Sequence, residues 1–254
     1  MKKNKRLHKI RKQELDAILE HINISKDARV LEIGSGDGFQ SSILKKIYNH
    51  VISTDISNKG YDKLNVICDA ENLPFKNDYF SIVLSSNVLE HIVNKNKALN
   101  EMKRVLTKNG LIIITVPTST WKILDCIMYY PRIIHIFLKY IIAKNKFTNT
   151  NAKVNGNSLL HLIKTYTFIQ VHGSYQSNLE ELKSYRIKNW IKLFRNNKLR
   201  CIKIIKNLTY APYFPILDLR RFGICSCVGF ILKIATNLQN FDIPCGNDCN
   251  KTSK

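Results

Sequence analysis

An open, mostly parallel α/β sheet with helices on both faces is the fold class this sequence predicts, and three observations predict it. A strand runs into a glycine loop and then a helix: Val30, Leu31 and Ile33 lead to Gly34, Gly36 and Gly38, after which Ile43, Leu44 and Ile47 recur at helical spacing. Each of the first two strands carries an acid at its carboxyl end, Glu32 just before the loop and Asp55 closing Val51-Ile52-Ser53-Thr54-Asp55. Further on, Leu111 to Val116 is a continuous apolar run, as a strand buried on both faces should be, and Pro117 ends it.

Length and composition agree with that frame. A chain of 254 residues, 44% hydrophobic, can bury the core of one α/β domain with modest insertions. Its formal charge of +21, from 40 Lys+Arg against 19 Asp+Glu, suits an anionic partner such as a nucleic acid or a membrane surface. Lys, Asn and Ile are all abundant, which compositional drift would also produce. The 7 cysteines are scattered and odd in number, fitting a reduced cytoplasmic interior better than a disulfide scaffold. Cys225-x-Cys227 and Cys245-x-x-x-Cys249 lack the second Cys or His pair of a structural zinc site, so no metal is expected.

Taken in order, residues 1–28 predict a basic amphipathic helix, with Leu7, Ile10, Leu15, Ile18, Leu19 and Ile22 on one face. Without an apolar h-region, the stretch Met1 to Lys12 does not read as a secretory signal peptide. This helix is expected to pack on the sheet edge with its basic face in solvent. Residues 29–118 hold the glycine loop and the first five strands, including a short third strand at Asn65–Cys68 that ends in Asp69-Ala70. A helix from about Lys97 to Leu106 is expected to close at Gly110 in a left-handed cap.

The loop is Glu32-x-Gly34-x-Gly36-x-Gly38, with the third glycine one residue earlier than in the dinucleotide pattern G-x-G-x-x-G. Downstream come Leu73-Pro74-Phe75, then Asp78-Tyr79-Phe80, then Leu89-Glu90-His91. From Val30 to Pro117 this arrangement resembles the class I S-adenosylmethionine-dependent methyltransferases, in detail the small-molecule branch known as methyltransferase type 11. The resemblance implies a Rossmann-like seven-stranded sheet with an antiparallel last strand and S-adenosylmethionine as cofactor. It implies that Glu32, Gly34, Ser35, Gly36, Gly38, Asp55, Ile56, Asp69 and Ala70 bind the cofactor, with Gly36 and Gly38 at the methionine end, Asp55 at the ribose, and Asp69 and Ala70 at the adenine. Asn87 is implied to sit beside the methyl donor, and the N-terminal helix to help cover the cofactor.

Past Pro117 the resemblance relaxes. Residues 119–158 read as an insertion: Trp121 to Ala143 is strongly apolar, and Pro131 predicts two short helices forming a lid over the acceptor or lying in a membrane interface. Asp125, Arg132, His135 and Lys139 argue against a spanning helix, and Lys144 to Ser158 reads as a loop. Residues 159–235 should complete the sheet: a long helix capped by Asn178, then strands at Cys201–Ile205 and Cys227–Leu232. Residues 236–254 read as a polar tail.

A hydroxyl acceptor must lose its proton during methyl transfer, and a histidine is the natural base; His91, His161 and His172 are candidates, with His172 favoured and His91 its main competitor. A loose resemblance to sugar-modifying enzymes implies an oxygen acceptor on a saccharide or lipid-linked intermediate, with a quinone-type acceptor close behind. A noncatalytic or nucleic-acid-binding Rossmann-like protein is the alternative. It is disfavoured by the lack of an aminopurine-binding Asn/Asp-Pro-Pro-Tyr signature. The expected setting is cytoplasmic, with peripheral membrane contact open.

Overall fold

The computed structural model describes residues 2–57, 66–147, 171, 175–209 and 225–235. In chain order the elements are α1 (Lys2–Leu19), β1 (Arg29–Ile33), α2 (Phe39–Ile47), β2 (His50–Asp55), β3 (Val66–Ile67) and β4 (Phe80–Ser86). A 3-10 turn (Leu89–His91), α3 (Lys95–Val105), β5 (Leu106–Pro117), α4 (Ser119–Phe147), α5 (Asn178–Ser184), α6 (Ile187–Asn196), β6 (Leu199–Leu208) and β7 (Cys227–Ile234) follow. The seven strands form one sheet, as expected, and their order is β3-β2-β1-β4-β5-β7-β6. Strands β1 to β5 are parallel, while β7 runs antiparallel to both β5 and β6.

β1 lies in the middle, with Val30 paired to Val51 on one side and to Ile82 on the other. Successive side chains alternate between the two faces of such a strand, and both faces here are covered. Leu31 and Ile33 join Phe80, Leu99, Met102 and Trp190 in one core layer. Val30 joins Leu15 and Ile18 of α1, Leu44 of α2, and Ile82 and Ile113 in the other. The chain therefore reverses its winding between β1 and β4, opening a crevice at their carboxyl ends where ligands bind in such sheets. At the opposite, amino edge Arg104 ties the chain entering β4 to the end of α3 by donating to the carbonyls of Phe75 (2.6 Å) and Leu73 (2.8 Å).

Several expectations are corrected. α1 covers a sheet face and not an edge, because Leu15 and Ile18 reach strand residues from β1, β4 and β5. Gly110 does not cap α3: Leu106, fully buried and already extended, takes the chain straight from helix into β5. Glycine is required at 110 for space, since a Cβ would stand 2.9 Å from the Ser81 carbonyl oxygen.

α4 is one helix of 29 residues with Pro131 inside it, where two were expected. Proline there removes one hydrogen bond, to the carbonyl of Ile127, on a side of the helix that solvent reaches, so the freed oxygen can be hydrated. The helix also takes in Lys144 to Phe147 from the expected loop; the rest of that loop lies outside the described residues. The long helix expected from Asn178 is two, α5 and α6, separated at Tyr185–Arg186. Its cap is Ser177, whose hydroxyl accepts from the Glu180 N–H at 3.2 Å. Among the described residues no helix is long and apolar enough to cross a membrane.

Candidate functional site

The glycine loop occupies the crevice. Gly34, Gly36 and Gly38 have φ of 74°, 57° and 75°, in the left-handed region where a Cβ is disfavoured. Gly34 and Ser35 donate their N–H groups to the Thr54 carbonyl at 2.8 and 3.0 Å, fastening the loop to β2. At Gly34 a Cβ would come within 2.2 Å of Val88, so that glycine serves packing against the loop after β4. Gly36 is different: nothing lies within 4 Å of where its Cβ would be. Its N–H donates to Asp55 Oδ2 at 2.9 Å, which sets the carboxylate beside the open loop backbone. Ser35 is buried, and its hydroxyl is one of the buried polar groups with no hydrogen-bond partner.

Around this opening the sequence-predicted residues fall into place unequally. Asp55 also accepts from the Ser57 N–H at 3.2 Å, yet two carboxylate oxygens leave lone pairs for further donors. Ile56 beside it is 73% exposed, an apolar side chain at the rim of a polar crevice. Asp69 accepts from the Glu71 N–H at 2.9 Å, shaping the turn after β3, and Ala70 packs against the core. Asn87 has φ 54° and is buried at the end of β4. His91 is half exposed, with Nε2 3.9 Å from Glu90 Oε1. His172, the favoured base, and His161 lie outside the described residues.

Glu32 does not face the opening. It is buried beneath the loop, where its carboxylate accepts from the Ser41 hydroxyl of α2. Burial pushes its pKa up from 4.5 to about 7, against the pull of the Ser41 hydrogen bond and of Arg11 and Lys45. A raised carboxyl pKa means the folded protein holds this proton more tightly than the unfolded chain. Its stabilising contribution is therefore complete below pH 4.5 and is lost as pH rises through about 7. The loss amounts to roughly 3 kcal/mol at about 1.4 kcal/mol per unit. Urea denaturation across pH 4.5–8 should show Glu32→Gln abolishing most of that decline; parallel curves for variant and wild type would mean Glu32 ionises without penalty.

Sequence reasoning missed the polar face of α1. Three of its side chains reach the crevice: His8 Nε2 stands 2.6 Å from Asp37 of the loop, Arg11 Nη1 3.3 Å from Ser86 Oγ, and Glu14 Oε1 accepts from Asn87 Nδ2 at 2.9 Å. His8 also stacks on Phe39, ring centroids 4.0 Å apart. The signal was present in Arg11 and Glu14, charged residues one turn apart, with Glu14 next to the apolar Leu15. The second unforeseen feature lies beyond β5, where Lys122 and Glu181, both fully buried, pair at 2.7 Å. Tyr185 is fully buried nearby, and burial together with Glu181 and Glu90 holds its hydroxyl protonated.

Sheet order, crevice and glycine loop together give the fold shared by class I S-adenosylmethionine-dependent methyltransferases. Residues 31–114 match the family model "Methyltransferase domain". Among curated relatives the chain is similar to the ubiquinone/menaquinone biosynthesis C-methyltransferase UbiE of Vibrio vulnificus (strain YJ016), 37% identical over 103 residues, covering 34% of this chain and 40% of that protein. An uncharacterised protein of Methanocaldococcus jannaschii, MJ1123, is 38% identical over 113 residues, covering 42% of this chain and 52% of it. The chain thus spans about half or less of the length of these relatives. The fold is also that of a geranyl diphosphate C-methyltransferase from Streptomyces coelicolor, solved with Mg2+, geranyl diphosphate and S-adenosyl-L-homocysteine. That likeness has TM-score 0.53 and 10% identity over 90% of this chain and 81% of the other. A Haloferax volcanii complex of the Trm112 methyltransferase activator with a methyltransferase gives TM-score 0.55 at 12% identity, over 87% and 88%.

Proposed function

We propose that this protein transfers a methyl group from S-adenosylmethionine to a small-molecule acceptor, an oxygen of a saccharide or lipid-linked intermediate. The observation that carries the reading is the open space over Gly36, bordered by the Asp55 carboxylate, a cradle of backbone and acid that any larger side chain would fill. The orphaned Ser35 hydroxyl lies in the same loop. Gly36 and Gly38 would admit the methionine end against the main chain, and Asp55 would accept from both ribose hydroxyls. Ile56 would lie against the adenine, with Asp69 and Ala70 at its amino edge. Asn87, held by Glu14 of α1, would flank the sulfonium.

The bound cofactor supplies an electrophilic methyl carbon. The acceptor oxygen bonds to that carbon as the C–S bond breaks and its electron pair stays on sulfur, while the hydroxyl proton passes to a base. Alignment does most of what the protein must do in such an in-line displacement. His172 and His91 are the proposed bases. A second reading, transfer to a ring carbon of a quinone-type acceptor, is favoured by the name of the Vibrio relative.

Incubating the purified protein with methyl-tritiated S-adenosylmethionine and a total lipid extract tests the proposal. Label should enter an organic-phase product, and hydriodic acid should release it as methyl iodide; label that resists release would be bonded to carbon and favour the quinone reading. His172→Gln or His91→Gln should lower turnover roughly 10²–10⁴-fold in whichever residue is the base, with donor affinity unchanged. No labelled product in either the organic or the aqueous phase would overturn the proposal.

A further inference from the structure

α4 carries a stripe that the methyl-transfer chemistry does not use. Ile123, Ile127, Tyr130, Ile134 and Leu138 are 47–62% exposed. At 100° per residue these five positions fall within an arc of about 80° and run about 22 Å along the helix. Elsewhere α4 is well seated: Trp121, Lys122 and Tyr129 are buried. Over its first three turns the helix therefore has one face bound to its own domain, and an apolar edge from Ile123 to Leu138 faces outward.

We propose that this stripe docks α4 onto an anionic membrane surface, lying in the headgroup and acyl boundary. Three observations favour lipid as the occupant. The stripe is four aliphatic side chains and one tyrosine with no charge among them, which suits acyl chains with a single wet hydroxyl. It is one helix wide, narrower than the patch of about 800 Å² a side that a stable protein interface buries. The charge is complementary: the protein carries +21, and Lys5, Arg6, Lys9 and Lys12 are exposed on α1. α1 touches the carboxyl ends of the parallel strands through Asp37, Ser86 and Asn87, and α4 departs from that same edge just after Pro117. An apolar edge and cationic charge at one end of the sheet supply the two signals that stable peripheral binding needs.

The consequence for the acceptor, which rests on the methyl-transfer reading, is a lipid-tailed molecule taken from the bilayer at the root of α4. Cosedimentation of the full chain with phosphatidylcholine vesicles, with and without phosphatidylglycerol, tests the docking. Wild type should pellet with the anionic vesicles and be released by salt. Ile127→Glu/Ile134→Glu should partition at least about tenfold less, while calorimetric titration of the same variant with S-adenosylmethionine stays unchanged. Loss of donor binding in wild type would sink the methyl-transfer reading alone, since pelleting is read without it. Wild type remaining in the supernatant at low ionic strength, or the double variant pelleting as well as wild type, would overturn the docking. So would a wild-type dimer in lipid-free solution that the variant converts to monomer, because a second copy would then be the occupant.

Discussion

Replacing Glu181 by alanine should remove roughly 3–5 kcal/mol of stability, the range seen when one partner of a buried ion pair is deleted. Glu181 and Lys122 have no exposed side-chain surface, and their charged atoms meet at 2.7 Å. Asp125 stands further off, at 3.8 Å from the ammonium, too distant to replace the lost contact without movement. The substitution leaves a fully buried ammonium without its acceptor at 2.7 Å. Changing both partners together, Lys122→Met with Glu181→Leu, should be close to neutral, since the desolvation of two charges disappears along with their attraction. Urea denaturation of the three proteins decides the matter. A Glu181→Ala loss below about 1 kcal/mol would mean that water reaches the pair. The pair joins the root of α4 to α5, so the single variant should also loosen the packing between these two helices.

Gly36→Val should leave the protein folded and unable to hold its donor. No atom stands near the new Cβ, so packing is undisturbed, although a β-branched residue at φ 57° carries backbone strain of about 1–3 kcal/mol. The space it fills is the space assigned to the methionine end. Affinity for S-adenosylmethionine should fall at least about 100-fold, near 2.7 kcal/mol. Gly34→Ala makes the contrast, because its Cβ would strike Val88 and the damage should appear in stability first. Calorimetry with S-adenosylmethionine and with NAD reads both ligands. Unchanged donor affinity in the folded Gly36 variant, or tight binding of NAD by wild type, would refute the assignment of the loop.

The parallel half of the fold was legible because its signals are local. Gly34, Gly36 and Gly38 announce positive φ, and the apolar runs of β1 and β5 announce strands covered on both faces. Asp55 at the tip of β2 follows from counting. What could not be read were outcomes decided by distant neighbours. Gly110 looked like a helix cap, but the pairing of Leu106 with Phe80 pulls the preceding residues into β5, an interaction 26 positions away. Pro131 looked like a break, and whether a helix survives proline depends on whether the freed carbonyl can find water. The polar contacts of α1 belong to the same class. Glu14 reads as one charge among many until the fold brings Asn87, 73 residues on, to within 2.9 Å.

Among the described elements α1 is translated first, yet part of its berth comes from the two that are translated last. Leu15 and Ile18 share their core layer with Ile205, Leu208, Cys227 and Ile231 of β6 and β7, and the Cys227 thiol lies 3.6 Å from Glu14. On the ribosome the glycine loop, β2 and β4 can assemble while α1 still lacks that part of its seat. The helix can complete its core contacts only after β7 has taken its place between β5 and β6. A chain released before β7 would therefore carry a crevice whose α1 roof lacks part of its seat.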